Sequence, residues 1–252
     1  MMKTYNWGII GTGSIAREMA ATLTACRGTV YGVCGTSREK AERFAAENGV
    51  LHAFANGAAL LADENVDIVY IATPHNMHFD YIRQAVLAGK HVLCEKAITV
   101  SSAELEEAAA LAEEKGLMLG GAPDTFLGAG IQTCRKLIDS GIIGDVIGAN
   151  CAMVCHGHET WHPDPEFYYK RGGGPMMDMG PYYVTALVNL LGPATSVMGR
   201  AKTTYPQRVI TSQPKFGKVI DVEVPTHYNG IIDFKNGCTG SIVTSFDVQY
   251  AR

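Results

Sequence analysis

Over the first 120 residues, short apolar runs alternate with stretches of helical period. Asn6–Gly11 is read as a strand, and Ser14–Cys26 as a helix with Ile15, Met19 and Leu23 on one face. Thr29–Cys34 is a second strand, and Arg38–Asn48 a helix stopped at Gly49. Asp67–Thr73 is the strongest buried strand, His78–Ala88 a helix closed by Gly89, and His91–Cys94 and Leu117–Gly120 are further strands. Ser101-Ser102-Ala103-Glu104 is a capping box that opens a helix running to Lys115. Strands separated by helices of this length predict right-handed βαβ units and an α/β, doubly wound parallel sheet.

Beyond Gly121 the periodicity changes. A helix over Gly130–Asp139 precedes a long strand, Asp145–Cys155. A loop rich in His, Pro and aromatics (His156–Tyr169) leads to Gly172-Gly173-Gly174 and an apolar helical stretch ending at Leu191. The remainder reads as strands, most clearly a hairpin of Tyr228–Phe234 and Cys238–Phe246 joined through Asn236-Gly237. Residues 1–121 therefore form the α/β domain. Residues 122–252 form an α+β domain with an open, mainly antiparallel sheet. The strand Gly240–Phe246 is expected to be left as an unpaired edge. With so few strands, the 252 residues are expected to be a fragment, incomplete at the C-terminal end.

Composition narrows the function classes. Apolar residues make up 47% and charged residues 18%, which excludes a disordered or fibrous chain. The net charge is −4 and no basic stripe occurs, so nucleic acid is not an expected partner. No apolar run reaches membrane-spanning length, and the polar Met1–Trp7 leads straight into a strand rather than a signal sequence. The seven scattered cysteines are read as reduced, mostly buried thiols of a cytoplasmic protein.

Gly11-Thr12-Gly13-Ser14-Ile15-Ala16 fits the G-x-G-x-x-G/A pattern between a strand and a helix. Gly11 permits the tight turn, Gly13 lets a pyrophosphate approach the backbone, and Ala16 lets helix and strand pack closely. The free N–H groups of the helix start then face the phosphates. The second strand ends at Cys34-Gly35-Thr36-Ser37-Arg38 without the acid that would hold a ribose 2′-hydroxyl. Ser37 and Arg38 suit a 2′-phosphate, so NADP(H) is the expected cofactor and NAD(H) the alternative. Ser37 also reads as a helix cap and Arg38 as a solvated first-turn residue. Thr73-Pro74-His75-Asn76-Met77-His78 and Cys94-Glu95-Lys96-Ala97 close the next two strands, at the ends where such sheets bind ligands. Thr73, Pro74, His75, His78, Glu95 and Lys96 join the cofactor-binding candidates.

These motifs, with the later G-G-G-P-M-M-D-M-G-P-Y-Y, resemble the glucose–fructose oxidoreductase/inositol dehydrogenase (Gfo/Idh/MocA) family over nearly the whole chain. The resemblance implies an N-terminal Rossmann domain, a C-terminal open-sheet domain, and NAD(P)-dependent oxidation or reduction of a sugar, cyclitol or diol. It also implies a homo-oligomer, dimer or tetramer, for the full-length protein. Ala97 stands where the family usually has Pro after the Lys, and Tyr182 where it often has His. Lys96, Tyr182 and Asp178 are the implied catalytic residues, with Lys96 orienting the substrate oxygen and lowering the Tyr182 pKa, and Asp178 holding substrate hydroxyls or orienting Lys96. Tyr182 and Tyr183 also read as core aromatics and Asp178 as a helix cap. Asp178 and Tyr182 are four apart, so on an unbroken helix they share a face, with Gly180-Pro181 a point where that helix starts or breaks.

Cys155-His156-Gly157-His158-Glu159-Thr160-Trp161-His162 matches no metal-ligand spacing, and no metal is expected. It reads either as a substrate wall, with His156, His158 and Trp161 beside Lys96, Asp178 and Tyr182, or as a surface loop braced by Pro163 and Pro165. Two other functions compete with the dehydrogenase: a glycosidase using bound NAD in a redox–elimination cycle, and a non-catalytic nucleotide sensor.

Overall fold

In the computed structural model, residues 4–249 are described. Met1–Lys3 and Tyr250–Arg252, which carry parts of the readings at the two chain ends, lie outside them. The chain divides into two units, Met1–Ala122 and Pro123–Arg252.

The first unit follows the strand–helix alternation. Its strands are β1 (Asn6–Ile10), β2 (Thr29–Cys34), β3 (His52–Ala53), β4 (Ile68–Ile71), β5 (His91–Cys94) and β6 (Leu119–Gly121). Its helices are α1 (Ser14–Ala25), α2 (Arg38–Asn48), α3 (Gly57–Leu61), α4 (His78–Leu87) and α5 (Ser102–Glu114). All strand pairs are parallel, in the order β3-β2-β1-β4-β5-β6. That order reverses between β1 and β4, the crevice where doubly wound sheets bind nucleotides. The sheet is buried on both faces. Ile9 and Val33 pack among one cluster, and Ile10, Val69 and Ile71 among the other.

Local chemistry sets the helix ends. The Ser37 and Ser101 hydroxyls accept from the Lys40 and Glu104 N–H groups, and Gly49 and Gly89 end helices at positive φ. The Glu104 carboxylate accepts from the Val100 N–H, one residue before the cap. The expected face of α1 is corrected. Its buried residues are Ala16, Ala20 and Leu23, while Ile15 is 44% exposed. Small side chains win that face because the helix lies close against the sheet. The short β3 and α3 carry too little periodicity to be read in advance.

The second unit holds α6 (Ala129–Asp139), β7 (Gly148–Val154), α7 (Pro175–Asp178), α8 (Gly180–Leu191), β8 (Ala194–Lys202), β9 (Gln207–Val209), β10 (Val219–Asp221), β11 (His227–Phe234) and β12 (Thr239–Ser245). Its main sheet has the order β7-β12-β11-β8, and β9 pairs with β10 separately. The β11–β12 hairpin turns at Gly237, whose φ is +88°. The expected unpaired edge is overturned. β12 is an interior strand, antiparallel to β11 and parallel to β7, and the edges are β7 and β8. Leu187 and Leu191 of α8 cover one sheet face through Ile232, Phe234 and Ile242. The β8 residues are exposed throughout, Val197 and Met198 at 75% and 78%.

Cysteine burial is also corrected. Cys34, Cys94 and Cys238 are buried, Cys151 and Cys155 half-buried, and Cys26 and Cys134 exposed, all as free thiols.

Candidate functional site

β1 delivers the chain to Gly11, whose N–H donates to the Cys34 carbonyl at 2.9 Å. Its φ is +120°, and a Cβ there would lie 2.3 Å from the Ala72 carbonyl oxygen. Only glycine fits both the conformation and the approach of β4. Gly13 occupies the cap position of α1 and makes no side-chain cap bond, as is also the case at the starts of α4, α6, α7 and α8. A Cβ at Gly13 would meet nothing within 4 Å. The first-turn N–H groups of this 12-residue helix therefore face a cradle with no side chain in it. That is the geometry a phosphate requires, and the residues fit a dinucleotide. Thr12 is half-buried, and Ser14 and Ile15 are exposed beside the cradle.

At the end of β2 the Ser37 hydroxyl caps α2, and Arg38 donates to Glu42 at 2.8 Å from a side chain that is 70% exposed. Lys40 reaches the Thr36 hydroxyl at 3.1 Å. Burial pushes the Cys34 thiol up to about 12.

The ends of β4 and β5 are tied together. Thr73 and Pro74 lead into a short 3₁₀ turn, His75–Met77, and then into α4. The Thr73 hydroxyl oxygen is buried and has no hydrogen-bond partner among the described residues. His75 packs edge-on against His78. His78 is turned inward and fully buried. Its Nδ1 lies 2.7 Å from the Ala97 carbonyl and its Nε2 2.8 Å from the Thr73 carbonyl. Burial pulls its pKa down, against the opposing pull of the two carbonyls. The ring clamps the two candidate loops to each other. Tyr70 donates its hydroxyl to Glu95, and the Lys96 backbone N–H donates to the same carboxylate at 3.2 Å. Glu95 is thus bonded into the fold rather than solvated. The Lys96–Ala97 peptide is cis.

In the second unit the structure joins His158 to Asp178. Both are buried, and Nε2 lies 2.9 Å from Oδ2. The shared helical face expected for Asp178 and Tyr182 is not formed. α7 ends at Asp178 and α8 begins at Gly180, so the two residues sit on separate helices, with Pro181 in the first turn of the second. Tyr182 is half-buried. His156 is exposed and Trp161 is 61% exposed, while the His158 ring lies among those of Tyr168, Phe246 and Trp161.

Three residues that no motif pointed to, Arg208, Tyr169 and Asp247, join Glu159 at the base of this loop. Arg208 is 7% exposed and donates to Glu159 at 2.7 Å, to Asp247, and to the His156 and Phe246 carbonyls. Tyr169 donates its hydroxyl to Glu159. Burial and the adjacent carboxylate hold the Tyr169 phenol well above its ordinary range. A Cβ at Gly157 would overlap Glu159, Tyr169 and Arg208, so glycine is required where the loop crosses this network. The only sequence signal was a carboxylate, Glu159, inside an aromatic-rich loop. Its partners lie 49 and 10 residues away. No group of three or more His, Cys, Asp or Glu among the described residues is arranged to hold a metal. No helix among them is long and apolar enough to cross a membrane.

Residues 5–121 match the model of an oxidoreductase family with an NAD-binding Rossmann fold, and residues 131–252 that of the GFO/IDH/MocA C-terminal domain. The chain is 30% identical to the trans-1,2-dihydrobenzene-1,2-diol dehydrogenase of Mus musculus, across 74% of this chain and 56% of that protein. It is 33% identical to the 1,5-anhydro-D-fructose reductase of Ensifer adhaerens, across 69% and 52%. Against the D-xylose 1-dehydrogenase (NADP(+)) 2 of Haloferax volcanii the identity is 29%, across 98% and 72%. The chain thus spans little more than half the length of the first two relatives. Among solved structures, an NAD-binding oxidoreductase from Klebsiella pneumoniae superposes with a TM-score of 0.87 at 24% identity, across 99% of this chain and 68% of that one.

Proposed function

Because the chain belongs to the Gfo/Idh/MocA oxidoreductase family, we propose that it moves a hydride between NAD(P) and a secondary alcohol or carbonyl of a sugar, cyclitol or diol. One observation carries the cofactor half of this reading. Gly11, at φ +120°, stands where a Cβ would overlap the β4 end, and at Gly13, where α1 starts, a Cβ would meet nothing within 4 Å. When bound, the nicotinamide supplies the hydride chemistry, and the protein positions and polarises. Gly11, Thr12, Gly13, Ser14 and Ile15 hold the pyrophosphate. Thr73, Pro74 and His75 line the cofactor from the β4 end, and His78 acts indirectly, by fixing that loop to Ala97.

NADP(H) is proposed over NAD(H), on the missing acid at the end of β2 and the presence of Ser37 and Arg38. Two relatives are named as NADP(+)-dependent xylose dehydrogenases.

Lys96 orients the reacting oxygen, and Glu95, held by Tyr70, fixes the Lys96 backbone. Tyr182 exchanges the hydroxyl proton. These two roles rest on the family motifs. His156, His158 and Trp161 present hydrogen-bonding groups and an aromatic surface to the polyol. The exposed face of β8 supports homo-oligomerisation. Neither a metal-holding group of three or more His, Cys, Asp or Glu nor a membrane-length apolar helix occurs among the described residues. A cytoplasmic location completes the proposal.

The test replaces Lys96→Met and Tyr182→Phe and measures turnover and cofactor affinity separately. Turnover on a polyol panel is expected to fall by about 100-fold or more in each. Cofactor affinity is expected to stay within about threefold for Tyr182→Phe. Turnover that survives both changes refutes the assignment.

A further inference from the structure

His158 is 8% exposed, and its Nε2 is 2.9 Å from Asp178 Oδ2. A carboxylate only accepts, so Nε2 carries the hydrogen, and in the neutral ring Nδ1 is left as a bare lone pair. That Nδ1 is buried and has no hydrogen-bond partner among the described residues. Buried acceptors without a donor are rare in folded proteins and point to a group that arrives later. Three rings surround the imidazole, with centroids at 4.0 Å (Tyr168), 4.7 Å (Phe246) and 5.3 Å (Trp161). Phe246 is fully buried, whereas Trp161 is 61% exposed and forms the solvent side of the cage. An anionic donor is disfavoured by the Asp178 carboxylate, which already holds Nε2. A neutral hydroxyl fits.

We propose that His158 Nδ1 accepts a hydrogen bond from a hydroxyl of the bound polyol, entering past Trp161. Asp178 is then a positioning residue that acts through His158 by fixing its tautomer and ring orientation. This deepens the oxidoreductase reading and takes its ligand class from it. His158 becomes a specificity residue, one that separates a vicinal diol from the corresponding simple alcohol.

The experiment uses the full chain with ¹⁵N-labelled histidine, in a Trp7→Phe background so that Trp161 alone reports by fluorescence. The probes are D-xylose, myo-inositol and trans-cyclohexane-1,2-diol, with cyclohexanol as the control. The expected free state is the Nε2–H tautomer. At least one polyol should shift the Nδ1 resonance and change the Trp161 emission. His158→Phe, which keeps the aromatic cage filled, should weaken polyol binding by about tenfold or more and remove the preference for diol over cyclohexanol. Asp178→Asn should mix the tautomers and raise KM more than it lowers kcat.

An Nδ1–H tautomer in the free protein overturns the proposal. So does an Nδ1 resonance unmoved by all three polyols, or wild-type binding by His158→Phe. Nicotinamide absorbance in the same samples tests the oxidoreductase reading separately. A polyol response at His158 without hydride transfer sinks that reading alone, and hydride transfer without the response sinks this one alone.

Discussion

A single methyl group added at Gly11 or at Gly13 should separate folding from the proposed cofactor binding. At Gly11 the new Cβ would lie 2.3 Å from the Ala72 carbonyl oxygen and 2.9 Å from its carbon, both backbone atoms that cannot swing aside. Holding an L side chain at φ +120° adds a further penalty of about 1–3 kcal/mol. With about 1–3 kcal/mol for the overlap, Gly11→Ala should lose roughly 3 kcal/mol or more. In a unit of this size each kcal/mol moves Tm by about 4 °C, so the expected drop is about 12 °C. Gly13 differs in both respects. Its φ and ψ of −79° and −173° suit any residue, and its Cβ meets nothing within 4 Å. The poorer cap and the stiffer unfolded chain nearly offset each other, within about 0.5 kcal/mol. The methyl group instead occupies the phosphate cradle, and cofactor affinity should fall by about 10- to 100-fold.

Thermal unfolding with and without NADPH reads both effects. At about 100 times Kd the cofactor stabilises the wild type by about 2.7 kcal/mol, and a 30-fold loss of affinity reduces that to about 0.9 kcal/mol. Gly13→Ala should therefore melt with the wild type when free and shift much less with NADPH. Full NADPH stabilisation of Gly13→Ala, or a wild-type Tm for Gly11→Ala, refutes the reasoning.

Three further outcomes are expected. Arg38→Ala should leave stability within about 0.5 kcal/mol, because its exposed pair with Glu42 contributes little. It should weaken NADPH by about tenfold or more while NADH is unaffected, as fluorescence titration would show. Arg208→Met leaves Glu159 and Asp247 buried without their cation, and should lose about 3–5 kcal/mol in urea unfolding. Burial lowers the pKa of both His78 and His162 in the folded chain, so the unfolded chain binds more protons near and below the ordinary histidine value. Stability should be fully present above about pH 6.5 and fall as pH drops below it. His78→Asn should flatten that slope, and a flat wild-type profile between pH 7 and pH 5 would contradict the assignment.

The first unit was legible because its signals are local. Hydroxyl caps at Ser37 and Ser101 and positive-φ stops at Gly49 and Gly89 act within four residues of where they stand. Where packing chooses, pattern misleads. Ile15 looked like core, but the close approach of α1 to the sheet selects Ala16 and Ala20. The Asp178–Tyr182 face failed for a local reason that periodicity ignores, the break at Met179 between α7 and α8.

The alternation of the longer elements of the first unit, the turn at Gly11–Gly13 and the candidates at the strand ends are readable from the chain alone. Each of these follows from backbone conformations that neighbouring residues allow or forbid. Long-range packing was needed to place β12 inside its sheet, because its partner β7 is some 90 residues distant in the chain. It alone turned His78 inward, tied Glu95 to Tyr70, and brought His158 to Asp178 and Arg208 to Glu159. Those contacts depend on burial, which raises the penalty for an unpaired polar group until distant partners are drawn together. No spacing along the chain encodes which partners those are.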